Sequence, residues 1–128
     1  MTDATWLSKR LANLRTSRQR TGDLGEEQAL HYLESKGCQL LQRSFVCKGG
    51  EIDLIMRDGN SLVFVEVRKR ATAAFGGAAA SITPTKQKRM TLAAQVYLKS
   101  LATLPACRFD AVLIEAEQIS WLKNVITA

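Results

Sequence analysis

Hydrophobic residues concentrate in two short segments near the middle of the chain, with a polar turn sequence between them. The segments are EIDLIMR, residues 51–57, and SLVFVEVRK, residues 61–69, and both are rich in Ile, Leu, Val and Phe. Asp58-Gly59-Asn60 lies between them. Two apolar runs of this length around a Gly-Asn turn are typical of a β-hairpin. The pattern therefore predicts two adjacent antiparallel strands.

Apolar residues at helical spacing predict two helices. The first is expected over residues 23–36, with Thr21 or Asp23 as its N-cap and Gly37 as its C-cap. Pro84 is well placed to begin the second helix, which the pattern extends to residue 102. The predicted apolar stripe of the second helix consists of Met90, Ala93, Ala94, Tyr97, Leu98 and Leu101.

Three further apolar segments complete the pattern. CQLLQRSFVC, RFDAVLIEA and QISWLKNVI are each expected to be a strand, which gives the order α-β-β-β-α-β-β. Strands grouped between helices predict an α/β fold with a mixed sheet flanked by helices. We expect one domain over residues 21–128, preceded by a flexible basic arm of residues 1–20.

The register of the hairpin decides where its acidic residues point. A two-residue turn at Gly59-Asn60 places Asp53 directly opposite Glu66. Side chains alternate along a strand, so the other face becomes a core surface. The remaining pairs expected in this register are Ile55 with Phe64, Glu51 with Arg68, Ile52 with Val67, Leu54 with Val65, and Met56 with Val63.

Two carboxylates facing each other require a compensating charge. Cross-strand partners lie within ~5 Å between Cβ atoms, and like charges at that distance are destabilising. A shared proton, a nearby arginine or a hard divalent cation could compensate Asp53 and Glu66. Glu26 lies on the apolar stripe of the first helix, where it could either join them or assist the helix start. These alternatives remain open at this level.

The charge of the chain indicates the chemical class of its binding partner. The chain has 128 residues and a net charge of +6, of which residues 1–20 carry +4, from five basic residues and one acidic residue. This balance favours an anionic partner, most commonly nucleic acid. Three cysteines without metal-ligand spacing, no apolar run long enough to span a membrane and no signal sequence favour a cytoplasmic protein with no membrane partner.

The motifs GEIDLI, residues 50–55, and FVEVRKR, residues 64–70, resemble the YraN-like family of bacterial proteins. The resemblance extends over roughly residues 21 to 122 and includes TGDLGEEQALHYLESKG, FGGAAASIT, RFDAVLI, WLKN, Lys86 and Arg89. It implies a restriction-endonuclease-like αβββαβ core, related to PD-(D/E)xK nucleases and archaeal Holliday junction resolvases. It also implies Asp53 and Glu66 as the two motif acids, and Glu26 as the helix-borne acid of the resolvase branch.

One position departs from the motif. The motif has lysine two residues after the second acid, whereas this chain has Arg68. Arginine can donate to phosphate oxygens but stays protonated and is a poor base. Lys69 is a poor substitute because its side chain starts from the opposite face of the strand. The fold is unaffected by this departure, while catalysis becomes an open question.

The leading hypothesis is a nucleic-acid-binding protein of nuclease fold that cuts branched or structured DNA with Mg²⁺ or Mn²⁺. Its alternatives are a catalytically inactive DNA-binding module and a protein-interaction adaptor that uses residues 1–20. The resolvase resemblance further implies a homodimer. The residues expected to act are Asp53, Glu66 and Arg68 in catalysis, Glu26, Asp53 and Glu66 on the metal, and Arg70, Lys86, Lys88 and Arg89 on nucleic acid.

Overall fold

The computed structural model describes residues 17–70 and 82–126, and their elements follow the predicted order. The predicted arm of residues 1–20 lies largely outside the described residues, but residues 17–20 are helical. The Gly-rich segment before the second helix also lies mostly outside them. The elements are helix α1 (Ser17–Ser35), strands β1 (Gln39–Cys47), β2 (Gly50–Asp58) and β3 (Ser61–Arg70), helix α2 (Pro84–Leu98), and strands β4 (Ala106–Glu115) and β5 (Gln118–Leu122).

The five strands form one mixed sheet in the order β1-β2-β3-β4-β5. Strands β3 and β4 pair in parallel, and the other neighbours are antiparallel. Parallel neighbours need a crossover connection, and the segment that contains α2 supplies it. The α/β class and the mixed sheet are therefore confirmed, and the arrangement is consistent with a restriction-endonuclease-like core.

The hairpin has the predicted register. Asp58 pairs with Ser61 across a two-residue turn, and the pairing continues to Leu54 and Val65. Gly59 adopts φ +61° at the first turn position, as type II′ turns require. The register predicted from turn length is confirmed over this part of the hairpin.

The core lies in two clusters, one under each helix. Leu54 and Met56 pack with α1, whereas Ile55 and Phe64 pack with α2 on the other face of the sheet. Ile52 was expected beside Leu54 and opposite Val67, but it packs in the α2 cluster instead. The expected pair is wrong because regular alternation is interrupted between residues 52 and 54, opposite Ser44, which has φ +50°.

Helix α1 begins earlier than its sequence signals suggest. It continues through Thr21 and Asp23, so neither residue caps its N-terminus. Good helix formers such as Arg and Gln precede them and allow the helix to extend. The C-terminal prediction is confirmed: Gly37 has φ +95°, and the Gly37 and Cys38 N–H groups bond to the Glu34 and Leu33 carbonyls. This is the pattern of a Schellman motif.

Helix α2 follows its prediction closely at its start. Thr83 is the N-cap, its side chain accepts a hydrogen bond from the Lys86 N–H at 3.2 Å, and Pro84 is the first helical residue. The predicted stripe faces the core, although the helix ends at Leu98 rather than at residue 102. No helix within the described residues is long and apolar enough to cross a membrane.

A buried carboxylate joins the last two strands to the chain that follows them. Asp110 is fully buried in β4 and accepts hydrogen bonds from the Arg108 Nε–H at 3.0 Å and the Trp121 Nε1–H at 2.9 Å. The Asn124 N–H donates to it at 2.9 Å, and Arg108 also donates to Asp58 at 2.7 Å. Sequence patterns did not identify this network, which fixes β5 against β4 and the end of β2.

Because Asp110 accepts the hydrogen bonds from Arg108, Trp121 and Asn124, we expect Asp110→Asn to lower the free energy of unfolding by about 3 kcal/mol. The amide leaves Arg108 without its buried counter-charge and presents a donor to other donors. Urea unfolding measures the loss. Glu117→Gln, in the exposed turn after β4, is the matched control and should stay within about 0.5 kcal/mol of wild type. A loss below 1 kcal/mol for Asp110→Asn would mean that the network does not support the fold.

Candidate active site

Three acidic side chains from three different elements come together beside the hairpin. Asp53 lies in β2, Glu66 in β3 and Glu26 in α1. The Glu26 and Asp53 carboxyl groups are hydrogen-bonded to each other, and the charge of Glu66 acts on Asp53. Glu66 is one of two buried charged residues in the described part of the chain. The structure therefore brings together the three acids expected from the sequence.

Asp53 lies where β2 and β3 separate. Its Oδ2 accepts a hydrogen bond from the Val67 N–H at 2.8 Å. The regular pairing of the two strands ends one residue earlier, at Leu54 and Val65. A side-chain carboxylate thus takes a donor that a backbone carbonyl would satisfy in a continuous ladder. Asp53 therefore lies at a gap in the pairing of the two strands, where the charges of Glu66 and Glu26 act on it.

The environment of Asp53 disfavours its charged form. Burial, followed by the charge of Glu66, raises the pKa of the Asp53 carboxyl from 3.8 to about 8. Glu26 raises this pKa further through its charge and its hydrogen bond, while the Val67 N–H lowers it. Asp53 therefore holds a proton at neutral pH, and a cation at this position would displace that proton.

Close packing of α1 on β3 places Glu26 near the strands. A Cβ atom on Gly25 would lie 3.2 Å from the Lys69 Cβ, which is a tight approach. The Lys69 Nζ donates a hydrogen bond to the Gln28 Oε1 at 2.8 Å across the same contact. Lys69 is thereby held on the α1 side, as the alternation of side chains along β3 predicted.

Helix α2 packs equally closely on β2. A Cβ atom on Gly50 would lie 2.5 Å from the Arg89 carbonyl oxygen and 3.0 Å from the Ala93 nitrogen. Residues with a side chain at position 50 would force this helix away from the sheet. Gly50 therefore sets the distance from which the basic side chains of α2 reach the acids.

Two of the basic residues predicted to contact nucleic acid form ion pairs at the site. The Lys86 Nζ lies 2.6 Å from the Glu66 Oε1, and the Arg89 Nη2 lies 3.7 Å from the Glu51 Oε1. Lys88 is exposed on the same helix. The Lys86–Glu66 pair was not predicted, because no sequence rule relates the first turn of α2 to the third strand.

Arg68 and Arg70, at the end of β3, are half-buried. The expected pair between Arg68 and Glu51 is wrong, because regular β2–β3 pairing has ended and Glu51 contacts Arg89 instead. The Arg68 side chain makes no hydrogen bond or ion pair with any residue in 17–70 or 82–126. Its guanidinium is therefore not held by the described part of the chain.

The donor set has the chemistry of a site for a hard cation, since Mg²⁺ and Mn²⁺ prefer carboxylate oxygens. As the described side chains stand, no three His, Cys, Asp or Glu residues are arranged to hold a metal ion. At this site the Lys86 Nζ donates a hydrogen bond to one oxygen of Glu66, and the Val67 N–H donates one to an oxygen of Asp53. A metal bound by Glu26, Asp53 and Glu66 would therefore take the place of the Lys86 ammonium at Glu66.

Comparison with known proteins finds a family model and close relatives that match this chain. The family model of the uncharacterised protein family UPF0102 matches residues 25–114. A UPF0102 protein of Herminiimonas arsenicoxydans is 57% identical over 112 residues, which cover 88% of this chain and 90% of that protein. A UPF0102 protein of Janthinobacterium sp. (strain Marseille) is 56% identical over 114 residues, covering 89% and 93% respectively. The range matched by the family model, residues 25–114, contains Glu26, Asp53 and Glu66.

The raised pKa of Asp53 predicts how stability depends on pH. Between pH 3.8 and about 8 the folded protein holds a proton at Asp53 that the unfolded chain has released. The free energy of unfolding should therefore fall as pH rises through this window, by on the order of 1 kcal/mol per pH unit for one proton. Urea unfolding from pH 5 to 8, in buffer with a chelator, measures this slope.

Asp53→Asn removes the titrating group, so we expect its unfolding free energy to fall less steeply with pH than that of wild type. Glu117→Gln, in the exposed turn after β4, should keep the wild-type slope. Equal slopes for wild type and Asp53→Asn would show that Asp53 ionises normally in the folded protein.

Proposed function

This chain belongs to the UPF0102 family, and we propose that it is a metal-dependent endonuclease that binds and cuts structured DNA. The convergence of Glu26, Asp53 and Glu66 at the gap between β2 and β3 carries this proposal. Burying acids this close together destabilises a fold, as the raised pKa of Asp53 indicates. Such an arrangement is expected where the acids serve chemistry rather than folding.

The three acids would hold Mg²⁺ or Mn²⁺. A metal held there would lower the pKa of a bound water and stabilise charge that develops on the phosphate. The Val67 N–H keeps one oxygen of Asp53 fixed, which leaves its other oxygen for the metal. Glu66 is buried and its Oε1 accepts a hydrogen bond from the Lys86 Nζ at 2.6 Å, so the direction of its carboxylate is fixed.

The charge of the chain supports an anionic substrate. Its net charge is +6, and the exposed Lys88 and half-buried Arg68 and Arg70 make no described ion pair. These side chains would follow a phosphate backbone, and such binding weakens steeply with added salt. The preference for branched or structured DNA rests on the resemblance to resolvases alone, and so does a homodimer.

A second candidate function is a DNA-binding module without catalysis. Arg68 stands where the motif has lysine, and the Lys86 ammonium already compensates Glu66. Both features would suit a protein that keeps the fold and the basic surface while its acids hold no metal. The adaptor hypothesis concerns residues 1–20, most of which lie outside the described part of the chain.

Cleavage assays distinguish these candidates. We expect purified protein with Mg²⁺ or Mn²⁺ to cut labelled four-way junctions or flaps faster than linear duplex. Asp53→Asn, Glu66→Gln and Glu26→Gln should each lower the cleavage rate by roughly 100-fold or more, because each removes a negatively charged oxygen donor. DNA affinity, measured by gel shift with Ca²⁺, should change little.

Glu27→Gln is the matched control for Glu26→Gln. Glu27 lies next to Glu26 on α1 but pairs with Arg43 and His31 at the surface, so its loss should leave cleavage within about twofold. Binding of junctions without cleavage by wild type under any metal would favour the inactive module. Cleavage that survives Asp53→Asn would indicate a contaminating nuclease or another site.

A further inference from the structure

A cationic donor beside the metal ligands accelerates hydrolysis of a phosphodiester, because negative charge develops on the phosphate oxygens. We propose that Lys86 is this donor and that it acts from helix α2, an inference that rests on the proposed nuclease function. The candidates are basic side chains of β3 and of the first two turns of α2. They are Arg68, Lys69, Lys86 and Arg89.

Lys86 is the one whose charged group contacts a member of the acid cluster. Its Nζ donates to the Glu66 Oε1 at 2.6 Å. Lys69 is turned away toward Gln28, and Arg89 lies against Glu51. The Lys86 and Glu66 side chains are only 27% and 10% exposed, so the pair is largely shielded from water, which strengthens its interactions.

The contact lies in a small cleft that opens toward solvent. The cleft has a volume of about 40 Å³, enough for a few water molecules. A phosphate oxygen that enters this cleft would lie against the ammonium and next to Glu66. The cleft is lined by Glu51, Glu66, Lys86, Arg89 and Met90.

The position of Lys86 along α2 is unusual for a cation. It lies in the first turn of α2, where the partial positive charge of the helix end disfavours a cation. The Thr83 cap and Pro84 fix this turn, and the close contact at Gly50 holds the helix against β2. The backbone thus places an ammonium at an unfavourable helix position, where Glu66 stabilises it.

The chemical role of Lys86 is electrostatic. In the hydrolysis a water oxygen forms a bond to phosphorus, and the bond from phosphorus to one sugar oxygen breaks. One proton of the water goes to solvent, and the leaving oxygen takes up a proton. Lys86 stays protonated throughout and donates a hydrogen bond to a non-bridging phosphate oxygen. Its compact ammonium fits the small cleft better than the guanidinium of Arg68.

Lys86→Met tests this role, since it keeps an unbranched side chain only one atom shorter and removes its charge. We expect the single-turnover cleavage rate at saturating DNA to fall by about 100-fold, the usual effect of losing one such donor. We also expect Mn²⁺ to bind the DNA-free protein several-fold more tightly by calorimetry, because no ammonium competes for Glu66. Lys99→Met, at the other end of α2, is the control and should change neither quantity.

Slower cleavage together with tighter Mn²⁺ binding in Lys86→Met would identify a catalytic role for Lys86. If Lys86 only supported the local structure, metal affinity and cleavage would fall together, and Lys86→Arg would rescue both. If cleavage by Lys86→Met equalled or exceeded that of wild type, the inference would be overturned while the nuclease proposal stood. If wild type cut no substrate with Mg²⁺ or Mn²⁺, the two proposals would fail together.

Discussion

The hydrogen bond that the Asp53 carboxyl group accepts from the Val67 N–H is the interaction on which the site depends. It ends the regular pairing of β2 and β3 by giving a strand donor to a side chain. Beyond this point the two strands are no longer paired, and Ile52 packs in the α2 cluster. The same bond moderates the rise in the Asp53 pKa. One polar contact thus both shapes the site and lowers the energetic cost of the acids in it.

Two glycines determine how the helices reach this opening. Gly25 lets α1 approach β3, and Gly50 lets α2 approach β2 so closely that any side chain would collide with the helix backbone. These two contacts determine the positions of Glu26 and Lys86, because each residue lies within a turn or so of the contact along its helix. The site therefore depends on backbone packing as much as on the charged residues themselves.

Local rules were sufficient for the hairpin and for the acids. Turn length fixed the register that the hairpin keeps as far as Leu54 and Val65, the neighbours of Asp53 and Glu66. The expected proximity of the three acids agrees with the charges of Glu66 and Glu26 that act on Asp53. The predicted position of Ile52 was wrong because the regular alternation of side chains does not continue beyond Asp53. The Lys86–Glu66 contact depends on a crossover connection whose geometry no local rule describes.

The tertiary network of Asp110 was missed for a related reason. Its donors come from β4, β5 and the chain beyond β5, so the burial of its carboxylate is decided only when these elements meet. The start of α1 was placed too late because capping residues are permissive signals: Thr21 and Asp23 can begin a helix, but they can also lie within one.

The irregular edge strand β1 bears on how copies of this protein could associate. Its pairing with β2 shifts register between Leu40 and Gln42, and Ser44 adopts a left-handed conformation. An edge broken in this way presents no straight row of hydrogen-bonding groups to another chain. At the opposite edge, β5 has only five residues. A sheet continued from one copy into the next is therefore disfavoured at both edges, and a symmetric dimer would have to form through side-chain surfaces.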